Sequence, residues 1–237
     1  MTTLLIATRN AHKVREIKAI LGAPFLFLTL NDFPAAPQVR EDADTFAGNA
    51  AKKAGELARW LASRPPVTGP SPQFVIADDS GLEVDALNGA PGVHSARFAA
   101  LDRSADSLSA GATSNSPDAE NNAKLLRCLQ NVPLEKRTGR FRCVMALVPV
   151  PEAHSESASP VCYADEFAAQ TFEGACEGRI QFAPSGRGGF GYDPLFVPGG
   201  CSQSFAELGE DVKNQLSHRA QALAKLKAFM ISPDAKP

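Results

Sequence analysis

The chain has 237 residues, 44% of them apolar, with 24 basic and 26 acidic side chains for a formal net charge of −2. That length suits one large domain with enough apolar mass for a sizeable core. The balanced charge supplies no basic field for nucleic acid or an anionic membrane, so neither is expected as a partner. Five cysteines (Cys128, Cys143, Cys162, Cys176 and Cys201) form no C-x-x-C pair, which fits free thiols in a reducing cytosol better than a zinc ribbon or disulfide framework. The opening residues carry no basic leader, and no apolar run approaches the ~20 residues of a spanning helix, so a cytoplasmic location is expected.

In chain order, residues 4–8 (LLIAT) suit a short buried strand. Residues 10–22 follow, with Val14, Ile17, Ile20 and Leu21 at helical spacing and Gly22 as the stop. Residues 25–30 are strand-like. Residues 44–62 form a strong helical pattern, capped by Asp44 or Thr45, with Phe46, Ala50, Leu57 and Leu61 inward. A Pro-rich loop covers 63–72, and 74–77 (FVIA) is a strand that stops at Asp78 and Asp79, where Gly81 permits a turn. Residues 103–117 are small, polar and aperiodic, and read as an exposed loop insertion. Ser116 then caps a helix with Pro117 at its first position and acids in its first turn. Residues 140–150 suit a central strand, 152–159 a second loop insertion, and 161–180 strands again. Residues 202–208 and 217–230 look helical. Strands and helices alternate early and strands cluster later, which favours a single α/β domain, 1–237, with a mixed sheet.

Several segments have the residue types for chemistry. TRNAHK (8–13) sits where a strand turns into a helix, so its free N–H groups and Lys13 suit a phosphate; a capped helix with a solvated lysine would look the same. Glu41 precedes the 44–62 helix, and Lys52 and Lys53 lie about two turns in. They suit an acid–cation set, or an ordinary helix entry with exposed lysines. Asp78 and Asp79 point to opposite faces of an extended chain, so they do not form a symmetric clamp. One is expected to face a hard cation, which takes one or two carboxylates plus substrate phosphates, while the other braces the turn. A polar strand end with an Asx turn is the plain alternative. Gly186, Gly188 and Gly191 match G-x-G-x-x-G, yet no convincing strand precedes them and Pro194 blocks an immediate helix, so the dinucleotide reading fails its context. The loop instead presents Phe190, Tyr192 and Asp193, where an aromatic can stack on a nucleobase or turn into the core. Ser217 can cap the last helix, with His218 and Arg219 in its first turn.

Taken in order, TRNAHK, E…TFAGNAAKKA, ADDSGLEVDALNGAPGVHSARFA, GGFGYDPLF and KNQLSHRAQAL closely resemble the inosine/xanthosine triphosphate pyrophosphatases. The resemblance runs over nearly the whole chain. It implies an elongated mixed β-sheet flanked by helices, with two lobes and a central active-site cleft. It also implies Mg²⁺-dependent hydrolysis of ITP, dITP and XTP to a nucleoside monophosphate and pyrophosphate, by a homodimer. By motif position, Thr8, Arg9, Asn10, Ala11, His12 and Lys13, joined by Lys53, would meet the phosphates. Glu41 and Asp79 would bind metal, with Asp79 also the general base. Ser80, Phe190, Gly191, Tyr192, Asp193, Lys213, Ser217, His218 and Arg219 would surround the nucleotide. Arg9 stands where a small residue, often glycine, is usual, and Asp42-Ala43 where Thr-Gly is common. Rival readings are a pyrophosphatase for pyrimidine or modified nucleotides and an inactive nucleotide-binding protein.

Base selection has a chemical logic. Hypoxanthine and xanthine carry a 6-keto acceptor where adenine has a 6-amino donor. A donor such as Arg219 or His218 aimed at O6 would therefore reject ATP by leaving a buried donor unpaired. Guanine shares the O6 and N7 acceptors, so its rejection has to act on the 2-amino group.

Overall fold

The computed structural model describes residues 1–65, 69–102, 115–151 and 169–232. Most of the expected insertion at 103–117 and all of that at 152–159 lie outside the described residues, as do the strands expected over 161–168. Six strands form one sheet in the order β2-β1-β3-β4-β5-β6: β1 Thr2–Ile6, β2 Phe25–Thr29, β3 Phe74–Val84, β4 Thr138–Pro149, β5 Gln170–Ile180 and β6 Phe196–Pro198. β1 pairs parallel with β2 and β3, and β5 pairs antiparallel with β6, so the sheet is mixed, as the alternation of elements predicts. The helices are α1 Ala11–Leu21, α2 Phe46–Ala62, α3 Asp118–Cys128, α4 Phe205–Leu216 and α5 His218–Ile231. Among the described residues no helix is long and apolar enough to cross a membrane.

The chain divides into two compact units: Met1–Asp79, Val144–Glu173 and Ala222–Pro237 make the first, Ser80–Cys143 and Gly174–Gln221 the second. The first unit buries Leu4, Leu5 and Ile6 of β1, Ile17 and Leu21 of α1, Ala50, Ala54 and Leu57 of α2, and Val75 and Ile76 of β3. β1 and the start of β3 read as continuous apolar runs because both faces of these strands are covered. The second unit has its own core, in which Leu82, Val84, Leu125, Phe141, Ile180, Leu195, Phe196 and Phe205 pack together.

Three expectations change. β3 does not stop at Ala77; it continues through Asp78, Asp79, Ser80 and Gly81 to Val84. Gly81 therefore marks no turn, and Asp78 cannot brace one. α3 begins at Asp118, with Pro117 at its N-cap position and no side-chain cap. Ser116 instead accepts from the Ala100 N–H at 3.1 Å, a bond across 16 residues that outcompetes the local cap. α4 starts at Phe205, where Ser204 and Glu207 form a capping box, and runs past the 202–208 pattern to Leu216, its run broken by Gly209 at φ 82°.

Candidate active site

In the first unit, β1 leads into α1 through Thr8, Arg9 and Asn10. Asn10 caps the helix, its Oδ1 accepting from the His12 and Lys13 N–H groups at 2.9 and 3.2 Å. The Thr8 hydroxyl accepts from the Asn10 N–H at 3.2 Å. The capped-helix alternative is thus realised, and two of the N–H groups expected to meet phosphate are held by Asn10. Lys13 is not merely solvated, however. Its ammonium lies 3.1 Å from Asp78 Oδ1, and the Asp78 side chain is fully buried. Arg9 turns to the Ala36 carbonyl at 3.4 Å, Ala11 is exposed, and His12 Nδ1 meets Arg15 at 2.8 Å. Asn88 is the one non-glycine with positive φ among the described residues, so Arg9, Asp42 and Ala43 need no glycine-like backbone.

α2 organises the acids. Thr45 is its cap, accepting from the Gly48 N–H at 3.0 Å. Lys53 donates to the Glu41 carboxylate, and Lys52 to Asp42 at 2.5 Å. Asn49 donates through Nδ2 to Asp79 Oδ2 at 3.0 Å, while its Oδ1 accepts from the Ala43 N–H at 2.9 Å. Asp79 is 7% exposed. Burial pushes its carboxyl up to about 6, against the lowering pull of Lys13, Lys53 and Asn49; Glu41 adds to the rise. Burial weakens the Lys53 ammonium, but Glu41, Asp78 and Asp79 outweigh that and leave it raised.

Among the described residues no three His, Cys, Asp or Glu side chains form a ready-made metal cluster. Magnesium does not require one, since it keeps waters and commonly uses one or two protein carboxylates together with substrate phosphates. Glu41 and Asp79, both oxygen donors and close enough for their charges to act on each other, fit that demand.

In the second unit, the Gly-rich loop is followed by β6 rather than a helix, so the loop is not the strand–helix turn of a dinucleotide-binding unit. Asp193 closes the loop, accepting from the Phe190 N–H at 2.8 Å and from Lys213 Nζ at 2.5 Å. Gly189 is at φ +71°, and a Cβ there would run into the Asp193 carboxylate, so this position requires glycine. The Lys213 ammonium also lies 4.4 Å from the Phe190 ring centroid, and the Arg219 guanidinium 5.8 Å from it. Arg219 is 1% exposed and donates to the Ser80 hydroxyl at 2.9 Å. Ser217 caps α5 by accepting from the Ala220 N–H at 3.2 Å. His218 stacks on Phe141, ring centroids 4.8 Å apart. Tyr192 is a core residue, its hydroxyl donating to the Ser95 carbonyl at 2.9 Å.

Four residues of these settings escape the motif reading. Asp78 serves as the partner of Lys13, and Asn49 bridges two segments. Asp118 accepts from the Gly191 N–H at 2.6 Å, while Asn122, one helical turn on, donates to the Gly191 carbonyl at 3.0 Å. For Asn49 a signal existed: a polar residue on the inner stripe of α2 beside Ala50 and Ala54.

The sheet order and the flanking helices define a mixed-sheet α/β protein. Comparison with known proteins makes the class specific. The profile described as "Ham1 family" matches residues 4–229, and the chain belongs to that family. It is 45% identical to a dITP/XTP pyrophosphatase of Geobacter sulfurreducens over 228 residues, 96% of each chain. It is also 45% identical to one of Geobacillus kaustophilus, over 95% of this chain and 93% of that one. Among solved structures, the Staphylococcus aureus Ham1 protein superposes with a TM-score of 0.71 at 31% identity, covering 97% of this chain and 98% of the other.

Proposed function

We propose that this protein is a cytoplasmic, Mg²⁺-dependent homodimer that hydrolyses ITP, dITP and XTP to the nucleoside monophosphate and pyrophosphate. Membership of the Ham1 family and relatives named dITP/XTP pyrophosphatases support the reaction and substrate class. The observation that carries the chemistry is Asp79, a buried carboxylate with two lysines acting on it and its pKa raised to about 6. Without a cation this carboxylate is ionised at working pH and can orient an attacking water or accept its proton; a cation bound to it would lower that basicity and shift its role toward orientation. Lys13 and Lys53 supply positive charge for a triphosphate, and in such chemistry positioning and electrostatics dominate. A magnesium ion held by Glu41 and Asp79 would neutralise phosphate oxygens as charge builds on the departing pyrophosphate.

The second unit's set suits a purine. Phe190 supplies an aromatic ring held in place by the Lys213 ammonium over it and by Asp193 on its N–H. Arg219 is a buried donor that hydrogen-bonds the Ser80 hydroxyl, and a 6-keto oxygen can complement such a donor where a 6-amino group cannot.

The deciding experiment is pyrophosphate release from ITP, XTP, ATP, GTP and dUTP, with and without Mg²⁺. Release from ITP and XTP that requires Mg²⁺ and exceeds release from the others is the expected result. Preference for dUTP would instead support a pyrimidine enzyme, and binding of ITP without release an inactive nucleotide-binding protein. A monomeric mass in light scattering would reject the homodimer.

A further inference from the structure

Asn49 is 1% exposed, in the first turns of α2, and both ends of its carboxamide are engaged. Its amide nitrogen faces the Asp79 carboxylate, which only accepts, and its oxygen faces the Ala43 N–H, which only donates. The amide therefore has one workable orientation; turning it over would set acceptor against acceptor and donor against donor. Ala43 lies two residues past Glu41, and Lys53, one helical turn beyond Asn49, holds the Glu41 carboxylate. A single helix face thus grips the segment carrying Glu41 at two points and Asp79 at a third.

From this we infer that Asn49 is a positioning residue that fixes the Glu41 segment and Asp79 relative to one another for a divalent cation. The inference rests on the assignment of Glu41 and Asp79 as metal ligands. Oriented partners behind metal ligands set the geometry that the cation meets, and their removal typically costs about 10- to 100-fold in metal affinity or activity. Asn49 touches neither cation nor substrate in this role. It acts through Asp79 and through the backbone beside Glu41.

The test uses the full chain and Mn²⁺ as probe, with free Mn²⁺ counted by electron paramagnetic resonance in the presence of ITP monophosphate product, IMP. Asn49→Ala removes both hydrogen bonds, and Asn49→Leu does so while keeping the same branched four-heavy-atom skeleton should the smaller residue fail to fold. The expected result is an Mn²⁺ affinity at least about tenfold weaker in the folded variant. The Mg²⁺ concentration that half-saturates turnover should rise by a similar factor, while KM for ITP at saturating Mg²⁺ moves less. A purely structural asparagine would lower the melting temperature and leave metal affinity of the folded molecules alone. An affinity within about twofold of the parent overturns the inference, as does failure of both variants to fold. A parent protein that hydrolyses ITP yet binds no Mn²⁺ removes the metal assignment itself, and the inference with it.

Discussion

The surroundings of Asp79 and those of Phe190 each contain a lysine–aspartate pair, and the two pairs differ in how closed they are. The Lys13 side chain keeps 18% of its surface exposed while its partner Asp78 has none. Lys213 and Asp193 keep only 3% and 2%. An ammonium with an open side can share its charge with an incoming anion; one sealed against its partner cannot do so without opening the pair. Lys13 is thus disposed to meet a phosphate, whereas the geometry gives Lys213 a task inside the protein. It holds Asp193, which holds the Phe190 N–H, and it lies against the Phe190 ring. One region is organised by charges that a ligand can complete, the other by a loop clamped from within.

The largest expected effect falls on the charged region. Asp79→Asn keeps the shape and removes the carboxylate proposed as base and metal ligand, so turnover of ITP should fall by about 10²- to 10⁴-fold with the fold intact. Near-normal turnover at saturating Mg²⁺ would erase the functional distinction between the two regions. The next effect belongs to the clamped region. If Arg219 reads the 6-position as proposed, Arg219→Ala should narrow the ITP-over-ATP ratio of kcat/KM by about tenfold or more, because the buried donor is gone. An unchanged ratio would take Arg219 out of base reading. A third test addresses the closed pair itself. Removing one member of a buried ion pair costs about 3–5 kcal/mol. Lys213→Ala should therefore lower the melting temperature by about 10 °C for a chain of this size. Lys213→Met combined with Asp193→Asn should recover part of that loss, since no uncompensated charge remains. A drop of only about 2 °C for the single variant would mean that the pair is open in solution.

What the sequence made legible divides along the same line. Helix faces, the Thr45 cap and the mixed sheet follow from apolar spacing and capping chemistry, which act over a few residues. The dinucleotide decoy was also recognisable, because Pro194 forbids the helix that such a site needs. The β3 boundary was not. Asp78 and Asp79 look like a strand end only when their compensation is invisible, and that compensation comes from Lys13, 65 positions away, and Asn49, 30 positions away. Buried charges of this kind are tolerated once paired and hydrogen-bonded, so the strand can run through them. Ser116 is lost as a cap for the same reason, its hydroxyl being taken by Ala100. The grip of Asp118 and Asn122 on Gly191 spans about 70 residues and has no local pattern at all.

The smallest effect is the most specific to the charged region, and its sign is opposite to the usual one for a salt-bridged acid. The folded-state pKa of Asp79, about 6, lies above its ordinary value of 3.8. The folded protein therefore binds this proton more tightly than the unfolded chain, and stability falls as pH rises from about 4 through 6. Above that window the ionised carboxylate costs about 3 kcal/mol, which asparagine does not incur. In metal-free solution Asp79→Asn should thus raise the melting temperature by about 8 °C at pH 8, by about half as much at pH 5, and by only about a fifth as much at pH 4. Because a cation that binds only the folded parent stabilises it by mass action, adding Mg²⁺ with IMP should close the gap at pH 8. A gain of equal size at pH 5 and pH 8 would show that Asp79 is not held against its charge. The charged region would then be an ordinary set of salt bridges, rather than one kept short of positive charge for a ligand to supply.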